Sequence, residues 1–234
     1  MKQVGEYILE QVLRVPVSLS KKFAQGIPLP EEGKSSVTRE TVWIADGGKD
    51  KLISQVEVAE RFKKEGWMRT GRQMETMRDV LGAWSEINYE AVSKSINSVD
   101  VEESDGVYNS QGVYKSSSIF DSKNIVWSYK LFNCQYMLGS RDDSACSFGV
   151  RVKESIYCSY CFEVSWSHKV SRSMFVHDCT DLVECLFCAH LRSKKYCVAN
   201  MQIGEEEYFR VKKMVVEWIL RKYDPYKKLQ DYLD

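Results

Sequence analysis

Eight cysteines and three histidines are the side chains of this 234-residue sequence best suited to chemistry, and all of them lie after residue 133. Cys158-Ser159-Tyr160-Cys161 and Cys185-Leu186-Phe187-Cys188 are two CxxC pairs, which taken alone have the ligand spacing of a zinc ribbon. His168, His177 and His190 offer imidazole ligands that could share a metal across a subunit interface. Neighbouring cysteines could pair as disulfides in an oxidising compartment. The sequence holds no Gly-rich phosphate loop, no GxSxG and no HExxH.

The spacing of the cysteines argues against all three readings. Every third residue from Val107 to Cys197 makes a series of 31 positions, of which 29 are Val, Ile, Leu, Met, Cys, Ser or Gly; Asp143 and Lys194 are the exceptions. All eight cysteines fall in that one frame. The frame through Asn109 instead carries charges: Lys115, Asp121, Lys130, Asp142, Arg151, Glu154, Glu163, Lys169, Arg172, Asp178, Asp181 and Glu184. Neither a helix nor an ordinary strand has period three. A narrow β-solenoid does: one residue points in and the next two turn the corner or point out. CxxC is then what two adjacent inward cysteines look like. The histidines lie outside the inward frame, and serine or free cysteine inside would serve as a small core residue. We therefore expect reduced, metal-free, core-lining cysteines, with no catalytic, cofactor-binding or metal-binding residue in the chain.

A period of six overlies the period of three. Up to Ser140 large apolar residues alternate with Ser or Cys, and after Arg141–Asp143 the roles exchange. Coils of 12 residues fit this best, with coils of 18 as the alternative. At the inter-strand spacing, about eight 12-residue coils would stack to roughly 40 Å. The residue after each inward one is often large, as at Tyr108, Tyr114, Phe120, Val126, Phe132, Leu138, Val150, Ile156, Phe162, Met174 and Leu186. Such an outward ladder needs a cover, expected from the helices of residues 50–97 and 204–222.

The elements that position the repeat follow from pattern. Val4, Ile8, Val12 and Leu13 make one face of a helix ending before Pro16. Residues 16–47 hold Pro16, Pro28 and Pro30 and read as an extended arm, so 1–49 is helix and arm. In 50–106, Ser54 and Glu57 form a capping box for a helix with Val56, Ala59 and Phe62 on one face, ended by Gly66. A second helix runs from about Arg72 towards Ile87 with Met77, Leu81 and Trp84 on a stripe, and a third carries Val92 and Ile96. Residues 97–106, with Asp100, Glu102, Glu103 and Asp105, read as an acidic connector. The solenoid takes 107–203. Residues 204–234 are a capping helix and tail, with Glu205–Glu207 at the positive dipole end and Arg221 and Lys222 at the other. The fold class is thus α+β.

The inward Cys/Ser at every third position resembles the 12-residue solenoids of insect antifreeze proteins. Their ice-binding Thr ladder is missing, since Thr180 is the sole threonine of the repeat. The stretch Phe187-Cys188-Ala189-His190-Leu191-Arg192-Ser193-Lys194-Lys195-Tyr196-Cys197-Val198-Ala199-Asn200, with Glu206-Glu207-Tyr208 beyond it, looks like the C-terminus of Cys-rich repeat proteins of unassigned function in uncultured bacteria and phages.

Formal net charge is zero, so no overall field favours nucleic acid or an anionic membrane. No apolar run approaches the roughly 20 residues that span a bilayer. The N-terminus lacks a signal-peptide core, which leads us to expect a reducing, cytoplasmic setting. The function expected is a non-enzymatic structural or adaptor subunit of a larger assembly, a phage virion being one setting, with protein partners met through residues 16–47 and the outward aromatic ladder. The alternatives are a solenoid enzyme with an inter-subunit histidine metal site, of carbonic-anhydrase or acyltransferase type, and a zinc-binding interaction module.

Overall fold

The computed structural model describes residues 2–45, 51–64 and 66–232. Residues 95–198 form a β-solenoid of about nine turns with 12-residue coils. Its parallel pairs join residues 12 apart: Val107 with Ile119, Ile125 with Met137, Gly149 with Cys161, Cys185 with Cys197. Coils of 18 are thereby excluded.

The backbone that closes so short a coil is unusual. From Asn97 to Ala199 every third residue is left-handed, 35 positions of which only Gly106, Gly112 and Gly139 are glycine. The other 32 have φ between 46° and 58°. They are the frame that carries the charges. Each side of the coil is one inward residue, one outward residue and one left-handed residue, and four such sides close 12 residues. A left-handed non-glycine residue costs about 1–2 kcal/mol, so neighbouring coils must hold each one in place. They do so by backbone hydrogen bonds from coil to coil, for example Lys115 N to Glu102 O and Asp121 N to Tyr108 O. Side chains of the same frame also stack. Tyr136, Phe148 and Tyr160 lie face to face at 4.6 and 4.7 Å, and in a hydrogen-bonded ladder Asn97 donates to Asn109 and Asn109 to the Asp121 carboxylate.

Four inward side chains meet in each coil, and positions six apart face each other across the interior. In the first coils one opposing pair is large and buried (Val107, Ile119 and Leu131 against Val113, Ile125 and Met137) and the other is serine or cysteine. The small pair is hydrogen-bonded to the backbone. Ser116 Oγ accepts Ser128 N at 2.9 Å and donates to Tyr114 O at 2.8 Å; Ser128 Oγ then accepts Ser140 N, and Ser140 Oγ accepts Val152 N. After Asp143 the pairs exchange: Val152, Val164 and Val176 become the large column, while Ser155, Ser167 and Cys179 carry the hydrogen bonds. The irregularity at Arg141–Asp143 is this exchange.

The solenoid begins near residue 95, which corrects two expectations. Residues 97–106 are its first coil and not a connector, and Val92 and Ile96 lie in strands and not in a helix. The acidic residues are there for the corners: Asp100 and Glu103 are left-handed. Asp105 is buried and accepts Lys94 N at 2.7 Å and Ala45 N at 3.1 Å, which ties the preceding chain to the first coils.

Helix α1 (Lys2–Leu13) buries Ile8, Val12 and Leu13 of the expected face and Leu9 beside them, with Val4 half-buried. The segment after it is not a free arm. It makes a 3-10 turn at Lys21–Ala24 and then a hairpin of β1 (Glu31–Lys34) and β2 (Thr41–Ile44). Arg151, almost fully buried, donates to Phe23 O and Gln25 O and pairs with Glu163. Gly139 makes this approach possible: a Cβ there would sit 1.9 Å from Phe23 O. Gly47 and the expected boundary at residues 49–50 lie outside the described residues.

Strand β3 (Leu52–Ser54) leads into α2 (Gln55–Lys63), which has the expected capping box of Ser54 and Glu57. Burial opposes the Glu57 carboxylate, but hydrogen bonds from Ser54 and Ser35 outweigh it and bring its pKa to about 2. Helix α3 (Met77–Ser85) is shorter than its sequence stripe and is capped by Thr76 and Asp79. β4 (Glu90–Val92) pairs with β3. Val56, Phe62, Met77, Leu81 and Trp84, expected on buried faces, are exposed. The helices of 50–97 therefore do not cover the ladder. That task falls to α1 and to α4 (Glu205–Arg221), whose Tyr208, Val215, Val216 and Ile219 are buried. Instead of lying across the open end, α4 starts beside Tyr196 and runs back along the flank, to Tyr223 against Phe162. At the end itself Met201–Gln202 pairs antiparallel with Cys197 and Val198.

Asp143 is the one acidic residue of the inward frame between Val107 and Cys197. One carboxylate oxygen accepts Ser155 N at 2.9 Å and the other has no partner. Burial raises its pKa well above the ordinary value. Its folded value thus exceeds its unfolded one. The contribution to stability is complete below the ordinary carboxylate range and is lost as pH rises through the folded value. Asp143→Ser continues the column of Ser155 and Ser167 without a buried charge. We expect it to raise unfolding stability at pH 7 by about 1–3 kcal/mol, with the gain shrinking towards pH 4, as measured by denaturant titration. A less stable variant at pH 7 would contradict this.

Candidate interaction surface

The eight cysteines are buried and free, and they line the interior. Their thiols bond to carbonyls of their own and the next coil, as Cys161 Sγ does to Ser159 O at 3.3 Å and Val170 O at 3.4 Å. Cys185 stands in the column of Cys161 two coils on. The two CxxC pairs are therefore roughly 10 Å apart along the stack, too far for four sulfurs to share one zinc at about 2.3 Å each. Hydrogen bonding to Cys146 and burial push the Cys134 thiol up, and burial does the same to Cys179 and Cys197. In the Cys185–Cys188 pair the shared hydrogen bond hinders proton loss at Cys185 and eases it at Cys188.

Two of the three histidines, His177 and His190, come together on an exposed edge of a single chain. The rings of His177 and His190 are 6.0 Å apart, His190 Nδ1 lies 2.8 Å from Asp178 Oδ2, and His177 Nδ1 lies 3.0 Å from Ser165 Oγ. His168 packs edge-on against Tyr157. Among the described residues no group of three or more His, Cys, Asp or Glu side chains is arranged to hold a metal ion. Nor is any helix of the described residues long and apolar enough to cross a membrane.

The outward ladder is two columns, because residues six apart stand on opposite sides of a 12-residue coil. Tyr114, Val126, Leu138, Val150, Phe162, Met174 and Leu186 form the first. They are roofed by α1 and α4, with Val126 through Leu186 fully buried. The second is Ile96, Tyr108, Phe120, Phe132, Ser144, Ile156 and His168. Tyr108 and Phe120 stack at 5.0 Å, while Phe120 is 41 % and Phe132 54 % exposed. From Ile96 to Ile156 this column is about 24 Å long at the inter-strand spacing, and exposed Tyr157 and Trp166 adjoin its far end. Sequence reasoning placed these residues in one ladder to be covered by helices and missed its division into a roofed column and an open one, which the period of six signalled.

The flank of the solenoid carries a ligand-sized cleft. A cleft of about 470 Å³ opens between α1, α4 and the left-handed column Tyr160, Arg172, Glu184.

Comparison of the chain with family models, with curated proteins and with solved structures finds no match.

Native protein at neutral pH should show less than one thiol per chain open to iodoacetamide over a time that alkylates all eight in denaturant, read by intact mass. Two or more reactive thiols in the folded protein would contradict core placement.

Proposed function

We propose that the protein is a non-enzymatic structural or adaptor subunit, and that it joins its assembly through the bare column of Ile96, Tyr108, Phe120, Phe132 and Ile156. One observation carries this reading. Two columns of the same geometry stand on opposite sides of the solenoid; amphipathic helices of the chain itself roof one, while in the other Ile96, Phe120, Phe132 and Ile156 are exposed and Tyr108 is half-buried. An uncovered apolar strip of this length marks an interaction site. The roofed side indicates its partner: an amphipathic helix of another protein, laid along the stack as α1 is. The 16–29 part of the expected arm is held by Arg151 and the covered flank, so this reading places the partner on the bare column and not on that segment. The resemblance of residues 187–208 to phage and bacterial repeat proteins makes a virion one such assembly.

The test is a Phe120→Glu, Phe132→Glu double variant expressed in the source cell. Both side chains are exposed, so the purified variant should melt within a few degrees of wild type. In gentle extracts wild type should run in a high-mass species and the variant at the mass of the free chain. Equal incorporation of both, or wild type at the mass of the free chain, would contradict the proposal.

A further inference from the structure

The flank cleft is formed where α1 ends and the chain turns away from α4. Its apolar wall includes Leu13, Val216 and Leu220, and the Tyr160 ring lies on its floor. Its volume, about 470 Å³, is that of a small-molecule site. The charges around it are unequal. Arg14, Arg172, Lys212 and Lys213 line it, against Glu184 and Glu217. Lys212 and Glu184 neutralise each other: the ammonium lies 2.7 Å from Glu184 Oε2, and Glu184 is buried. That leaves Arg14, Arg172 and Lys213 against Glu217 alone. Among the described residues none of these three cations has an ion-pair partner. Arg14 is left-handed at φ 63° and stands 5.6 Å over the Tyr160 ring, so it is held at the cleft although it pairs with no acid.

We propose that this cleft binds an amphipathic carboxylate, a medium-chain fatty acid or a molecule of that shape. The chain lies along Leu13, Val216 and Leu220, and the carboxylate meets the guanidinium groups of Arg14 and Arg172. Apolar walls select the tail. Two unpaired guanidinium groups select a planar anion, which they bind by charge-assisted, fork-shaped hydrogen bonds. A neutral ligand with the same tail leaves both cations without a counter-charge. The proposal stands apart from the bare column, which is on the opposite side of the solenoid.

Isothermal titration of the full chain with decanoate, decyl phosphate and decanol tests it. Decanoate should bind one per chain, at concentrations below its self-association, at least tenfold more tightly than decanol. Decyl phosphate reports whether the site takes any anion on an apolar chain; binding tighter than decanoate would overturn the carboxylate assignment, and binding equal to or weaker than decanoate supports it. Arg14→Gln and Arg172→Gln change exposed side chains and should keep the circular dichroism spectrum and melting temperature. Each should weaken decanoate about tenfold and leave decanol unchanged. Equal binding of decanoate and decanol, unchanged decanoate affinity in both variants, or no saturable binding would overturn the proposal.

Discussion

Closing a coil in 12 residues forces the backbone into the left-handed region at every third position. No single coil could bear that cost, because each left-handed residue is held by hydrogen bonds and stacking to the neighbouring coils. The array is therefore cooperative along its axis. The same constraint sets the chemistry of the three frames. The inward frame must be narrow. The left-handed frame projects outward, where long or charged side chains stand in solvent or stack on their own column. The remaining outward frame builds the faces on which other elements dock.

The narrow interior explains why serine and cysteine recur. Only one opposing pair per coil can be large, and the other must be small yet satisfy the amides that point inward. Serine does both by accepting from one coil and donating within its own. Cysteine is the more apolar version, with Cys146 Sγ accepting Cys158 N at 3.3 Å. The exchange of large and small columns at Asp143 rotates the filled diagonal without breaking the stack. The outer side answers in turn. Arg151 and Glu163 stand in one column and Tyr223 reaches Glu163, so one buried network joins the solenoid, the segment after α1 and the chain leaving α4.

The repeat and its inward residues were legible in the sequence because neither a helix nor an ordinary strand has period three, and the overlying period of six favoured coils of 12 over coils of 18. The start of the repeat was not legible. Ser98, Val101 and Ser104 already keep the inward frame, but Asp100 and Glu103 at the corners look like a solvated linker until their left-handed backbone is seen. The roofing of one column by α1 was also hidden. It depends on contacts more than a hundred residues apart, such as Phe23 against Gly139 and Arg151, which leave no local pattern. For α2 and α3 the amphipathic stripes predict helices correctly but not burial, since a stripe tells which face is apolar and not whether anything lies against it. The histidine edge and the flank cleft bring together residues of several coils or elements, and neither has a signature of its own.

The result is a solenoid with a filled interior, one column roofed by helices and, on the other side, a column with four exposed apolar side chains. All of this rests on the left-handed corner. The most direct measurement is the intraresidue amide-to-Hα contact by nuclear magnetic resonance across residues 97–199, which is short only where φ is positive. The structure predicts strong cross-peaks at every third residue, including Trp127, Phe148, Lys169 and Phe187, and weak ones at the two residues between. Uniformly weak cross-peaks, or strong ones confined to the glycines, would contradict it.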